Sequence, residues 1–102
     1  MSIETPVIEK KKQTTKQIKE PGKFKVIVCN DDVTTVEFVV AMLMTVFRYD
    51  EKRAFDLTLV IHQKGSATAG IFPFEIAEQK AVDAINMARL NGYPLITKVE
   101  PE

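Results

Sequence analysis

Five consecutive residues, Asn30-Asp31-Asp32-Val33-Thr34, set an amide, two carboxylates and a hydroxyl side by side, and a single histidine, His62, follows later in the 102-residue chain. A turn leading into a helix cap accounts for such a stretch, because Asn, Asp and Thr side chains bond readily to nearby backbone. One cap needs only one acceptor, however, and neighbouring carboxylates repel unless a cation or a set of donors lies close. A lone histidine at a helix end is likewise explained as a structural donor, or as a cation favoured by the helix dipole. Together, an amide oxygen, a carboxylate and a neutral imidazole nitrogen are acceptors that can cradle an ammonium group with its three donors. Val36 and Val39 follow closely enough to line an apolar pocket beside them, although either valine alone reads as core. An apolar side chain and a charge-assisted hydrogen bond each contribute about 1.5–3 kcal/mol. A ligand offering both reaches roughly micromolar affinity.

Hydrolytic machinery does not stand out. Ser66 beside Gly65 lacks a nucleophile-elbow pattern, there is no glycine-rich phosphate loop, and Asp31, Asp32 and His62 are too few for a metal centre. The expectation is a non-enzymatic protein without metal or cofactor. Fourteen basic side chains balance fourteen acidic ones, which leaves no overall field to attract nucleic acid or an anionic membrane. The one cysteine, Cys29, lies in an apolar run without Cys or His at metal-ligand spacing, as suits a reducing compartment. The opening residues lack an export-type apolar stretch, and Glu4 and Glu9 argue against a transit signal, so a cytoplasmic location is expected.

These residues must be positioned by a small fold. Residues 1–22 carry many lysines, few apolar residues and the break Pro21-Gly22, and read as a flexible extension before one domain over residues 23–102. Phe24 to Cys29 is β-branched and partly alternating, which predicts a strand that exits at Asn30. Thr34 with Glu37 three residues on has the form of a capping box, so the first helix is expected to start there. Its apolar residues, Val36, Phe38, Val39, Val40, Met42, Leu43, Met44 and Phe47, cover so much of the cylinder that it must be deeply buried or await a partner. Asp50 is the expected cap of a second helix that runs to Lys64 and stops at Gly65. Ala67 to Phe72 reads as a strand, and Pro73 as the first turn of a third helix with Ile76, Ala77, Ala81, Ala84, Ile85 and Ala88 facing inward. Asn91-Gly92 ends that helix, and Leu95 to Val99 is a last strand. The order β-α-α-β-α-β defines an α+β domain of three strands backed by three helices.

The residues that carry these readings also resemble the ClpS family, adaptors of the bacterial Clp ATP-dependent protease in the N-end rule pathway. The likeness runs from about Phe24 to Val99. It is most specific in Phe24-Lys25-Val26-Ile27-Val28 leading to Asn30-Asp31-Asp32, Glu37-Phe38-Val39, Tyr49-Asp50, Ile61-His62, Gly70-Ile71-Phe72, Glu75-Ile76-Ala77-Glu78 with Lys80, Ala88-Arg89 and Pro94-Leu95. The resemblance implies three antiparallel strands packed on three helices, similar to the carboxy-terminal domain of the ribosomal stalk protein. It implies that a substrate's free α-amino group is held at Asn30, Asp31 and His62, with Asp32 and Thr34 in the same loop. Its first side chain, bulky and hydrophobic, would enter a pocket of Val36, Val39, Thr58, Ile61 and Leu95. Glu75 and Lys80 would dock on the amino domain of a ClpA-type AAA+ unfoldase, and residues 1–22 would help transfer the N-degron cargo. The family often has methionine where this chain has Val36 and Thr58; methionine at the second place narrows the entrance, so Thr58 is expected to ease entry of β-branched side chains. The alternative is a ribosomal-stalk-like interaction module, which gives no need for the acidic loop together with His62.

Overall fold

A β-branched, largely apolar strand runs through the middle of the domain. A computed structural model describes residues 22–102, and the expected extension therefore lies outside the described residues except for Gly22. Strand β1, Lys23–Cys29, alternates so that Val26 and Val28 point inward and are fully buried. Helices α1, Val36–Val46, and α2, Glu51–Lys64, follow it, then strand β2, Ser66–Pro73, helix α3, Phe74–Leu90, and strand β3, Ile96–Pro101. The strands form one antiparallel sheet in the order β2-β1-β3. This is the α+β arrangement read from the sequence, with β1 between its two neighbours because α3 carries the chain across the sheet.

The β1–β2 register shifts between Val26 and Ile27, where Gly70 and Thr68 are the partners and Ala69 is the extra residue. The freed Ala69 carbonyl accepts a 2.6 Å hydrogen bond from the Tyr49 hydroxyl, which ties the α1–α2 connection to the sheet. A Cβ at Gly70 would lie 2.5 Å from the Phe72 ring, so a larger residue there would have to displace that ring.

Helix α1 is caged on several sides, with Phe38, Val39, Met42, Leu43 and Val46 all buried. This explains most of its broad apolar surface, while Val36 and Met44 stay exposed and Val40 half-buried. Its cap is Thr35, whose hydroxyl accepts the Phe38 N–H at 3.1 Å; the capping box expected at Thr34 does not form. The reason is competition. Thr34 gives both its N–H and its hydroxyl to Asp31, at 2.7 Å each, so the next threonine caps the helix.

Asp50 caps α2 as expected, accepting the Arg53 N–H at 2.8 Å, and Gly65 ends it in the left-handed region with φ 92°. Pro73 stands just before α3 and not in its first turn. On α3 the inward stripe is Ala77, Ala81, Ala84 and Ala88, whose small side chains let the helix lie close to the sheet. Ile76, expected in that stripe, is instead 48% exposed, because Ala77 takes the inward position and its neighbour is rotated about 100° around the axis. Ile85 is half-buried. Among the described residues no helix is long and apolar enough to cross a membrane.

Candidate functional site

The loop after β1 meets the end of α2. Asn30 donates its N–H to the Gly65 carbonyl at 2.8 Å, which fixes the loop three residues beyond His62, in the last turn of α2. Within the loop, Asp31 Oδ1 accepts the N–H groups of Val33 (2.8 Å) and Thr34 (2.7 Å), and Oδ2 accepts the Thr34 hydroxyl. Burial pushes the Asp31 carboxyl upward, but these hydrogen bonds and the positive charge of Arg89 outweigh it and hold its pKa below the ordinary aspartate value. The carboxylate is therefore a fixed negative charge. Because each of its oxygens has two acceptor sites, Oδ2 keeps one for a further donor.

The loop and the helices enclose a cavity of about 230 Å³ lined by Asn30, Asp31, Asp32, Thr34, Val36, Val39, Thr58, Ile61 and His62. Its two sides differ. Val39, Thr58 and Ile61 are nearly fully buried and form an apolar floor, while Asn30, Asp32 and His62 stand exposed at the mouth and Val36 sits at the edge. Thr58, Ile61 and His62 project from one face of α2 at helical spacing. The Thr58 hydroxyl donates to the Ala54 carbonyl at 2.7 Å, so the polar atom of this floor residue is satisfied within its own helix. The volume exceeds the roughly 150 Å³ of an apolar cavity that holds a benzene ring, so an aromatic or branched side chain fits.

Nine of the ten residues expected around the ligand thus meet at one cavity. Leu95 does not line it; it is 1% exposed and belongs to the core cluster that also contains Val39 and Ile61. Glu75 and Lys80 lie elsewhere, on α3. Glu75 is exposed beside a hollow lined by Pro73, Phe74 and Ile76. Lys80 donates to the Val46 carbonyl at 2.9 Å and lies over the Phe72 ring, so its ammonium caps the end of α1.

Sequence reasoning missed Arg89 and Tyr93 as residues that position the site. Arg89 Nη1 donates to the carbonyls of Tyr93 (2.8 Å) and Leu95 (2.9 Å), which fixes the α3–β3 connection near Asp31. Tyr93 packs its ring on Phe38 at 5.0 Å and lies 3.3 Å from the capping hydroxyl of Thr35. The prior signals were their place near the Asn91-Gly92 break and, for Arg89, the Ala88-Arg89 portion of the family resemblance, which was given no role. Among the described residues, no group of three or more His, Cys, Asp or Glu is placed to hold a metal ion.

A concave site with a charged mouth and an apolar floor on a small α+β scaffold defines a binding protein. Residues 19–98 match the family described as ATP-dependent Clp protease adaptor protein ClpS. The chain is 45% identical over 94 residues to the ATP-dependent Clp protease adapter protein ClpS of Campylobacter jejuni, covering 90% of this chain and 98% of that one. To the protein of the same description from Shewanella piezotolerans it is 43% identical over 84 residues, 82% of each chain. A solved structure of Agrobacterium tumefaciens ClpS2 bound to L-phenylalaninamide superposes with a TM-score of 0.79 at 37% identity, covering 81% of this chain and all of that one. The chain belongs to the ClpS family of Clp protease adaptors. It is a non-catalytic substrate adaptor.

Proposed function

We propose that this adaptor recognises the free first residue of N-degron substrates and delivers them to a Clp AAA+ unfoldase of the ClpA type. The observation that carries the reading is the single cavity in which acceptors at the mouth adjoin an apolar floor. The α-ammonium group would donate to the Asn30 amide oxygen, to the remaining acceptor site of Asp31 Oδ2 and to a neutral His62 nitrogen, with Asp32 and Thr34 completing the loop. The first side chain, Leu, Phe, Tyr or Trp, would lie against Val36, Val39, Thr58 and Ile61, backed by Leu95. The ligand of the Agrobacterium relative, L-phenylalaninamide, unites a free α-amine with a phenyl ring, which supports the same division of labour here. Glu75 and Lys80 on α3 would dock on the unfoldase's amino domain, residues 1–22 would help transfer the cargo, and the reaction would take place in the cytoplasm.

The test is a peptide-binding series that varies only the first residue, with free and acetylated amines. Peptides led by Phe, Tyr, Leu or Trp are expected to bind at roughly micromolar affinity. Acetylation is expected to weaken them about a hundredfold, because it removes the charge and two of the donors. Equal binding of acetylated and free peptides would sink the reading.

A further inference from the structure

Beside the cavity lies a second depression of about 340 Å³, lined by Val36, Glu37, Val40, Glu51 and Phe55. Val36 belongs to both walls, so the two hollows are neighbours separated by one side chain. The second is built differently. Phe55 is 45% exposed and Val40 half-buried, giving an open apolar floor in the groove between α1 and α2. Glu37 stands in the first turn of α1 and Glu51 in the first turn of α2, so their carboxylates come to this groove from two helices. Among the described residues the ion pair formed is Lys52–Asp56, and it involves neither of them.

We propose that this groove receives a lysine or arginine among the residues that follow the first residue of a bound chain, and so ranks substrates that share the same first residue. The inference rests on the reading of the main cavity given above. A polypeptide anchored there that leaves over the edge formed by Val36 reaches this groove, since each further residue advances it by about 3.3–3.6 Å. Anchoring makes the second contact intramolecular, so even a weak surface attraction counts. The chemistry matches a long basic side chain. Its methylene stem covers Val40 and Phe55, its cation meets the two carboxylates, and an exposed aromatic face adds attraction for the same charge. An acidic side chain at that place meets like charge. Both glutamates also offset the positive poles of their helices, but that role affects stability and not the choice among peptides.

The experiment uses the full chain and free-amine peptides led by Phe, with Lys, Ala or Glu placed in turn at the second, third and fourth residues. At low salt the wild-type protein is expected to prefer Lys over Glu about three- to tenfold for at least one placement. In the Glu37→Gln, Glu51→Gln double variant that ratio should fall to about one, and in Glu78→Gln, on α3 and outside both hollows, it should stay as in the wild type. A flat ratio in the wild type, a ratio untouched by the double variant, or an equal fall in Glu78→Gln would overturn the proposal. So would a concentration-dependent dimer that lysine peptides dissociate, which would give the groove to a second copy. Tight binding of the Ala peptide with a flat ratio defeats this inference alone, whereas failure of every free-amine peptide to bind defeats the main reading with it.

Discussion

The mouth of the cleft is held by hydrogen bonds that close within a few residues, Val33 and Thr34 onto Asp31, whereas its floor exists only where Val39 of α1 meets Thr58 and Ile61 of α2. The first kind of order is local and electrostatic, and it presents acceptors before any ligand arrives. The second is apolar, non-directional and shared with the core of the domain, since Val39 and Ile61 belong to the same cluster as Met42 and Leu43. Perturbing the mouth should therefore alter recognition with limited loss of stability, and perturbing the floor should alter both.

The sharpest way to break this contrast is Ile61→Ala. It removes a core side chain that also faces the ligand, and is expected to cost about 2–5 kcal/mol of stability by urea unfolding while weakening Phe-led peptides. Unchanged stability would place Ile61 outside the core. Next in size is Asp31→Ala, expected to weaken free-amine peptides about a hundredfold, since it removes the charge and releases the bonds that hold Thr34. Asp32→Ala is expected to cost only about three- to tenfold, because Asp32 is exposed and takes no part in the clamp. Equal losses for the two aspartates, read by fluorescence titration, would mean that the hydrogen-bonded clamp is unimportant.

Acid and substitution separate the acceptors at the mouth. Asp31 has a depressed pKa in the folded protein, so its stabilising contribution is complete above the ordinary aspartate range and is lost only as pH falls through the lower folded value. It therefore stays ionised through mildly acidic pH. The His62→Ala variant is expected to weaken free-amine peptides about tenfold, since it removes one acceptor from the mouth. Unchanged affinity in that variant would remove His62 from the set of direct acceptors. The smallest effect concerns the floor. Thr58→Met places a longer side chain in a cavity of about 230 Å³ and is expected to lower Ile- and Val-led peptides about threefold relative to Leu-led ones. Identical rankings before and after the change would show that Thr58 does not set the preference.

Much of the mouth was legible in the sequence because its signals are local. Asn30, Asp31 and Asp32 follow a β-branched run, and Asp50 and Gly65 bound a helix by preferences that act within one turn. The exact cap was not legible. Thr34 and Thr35 are chemically equivalent at that level, and only the folded loop shows that Asp31 claims the first and leaves the second to α1. Periodicity likewise located the third helix but placed Ile76 inside, because one residue of phase separates it from the alanine stripe.

By itself, then, the sequence determined the element order, the ends of α2 and the cluster of acceptors, all of which depend on neighbours along the chain. Tertiary structure alone decided that His62 lines one cavity with Asn30, through the Asn30–Gly65 bond, and that Leu95 lies in the core with Val39 and Ile61 and not in the cavity wall. It also decided that Arg89 and Tyr93, distant along the chain, come close enough to steady the loop. Those outcomes depend on how two helices and a sheet fill space together, and packing has no period in the chain.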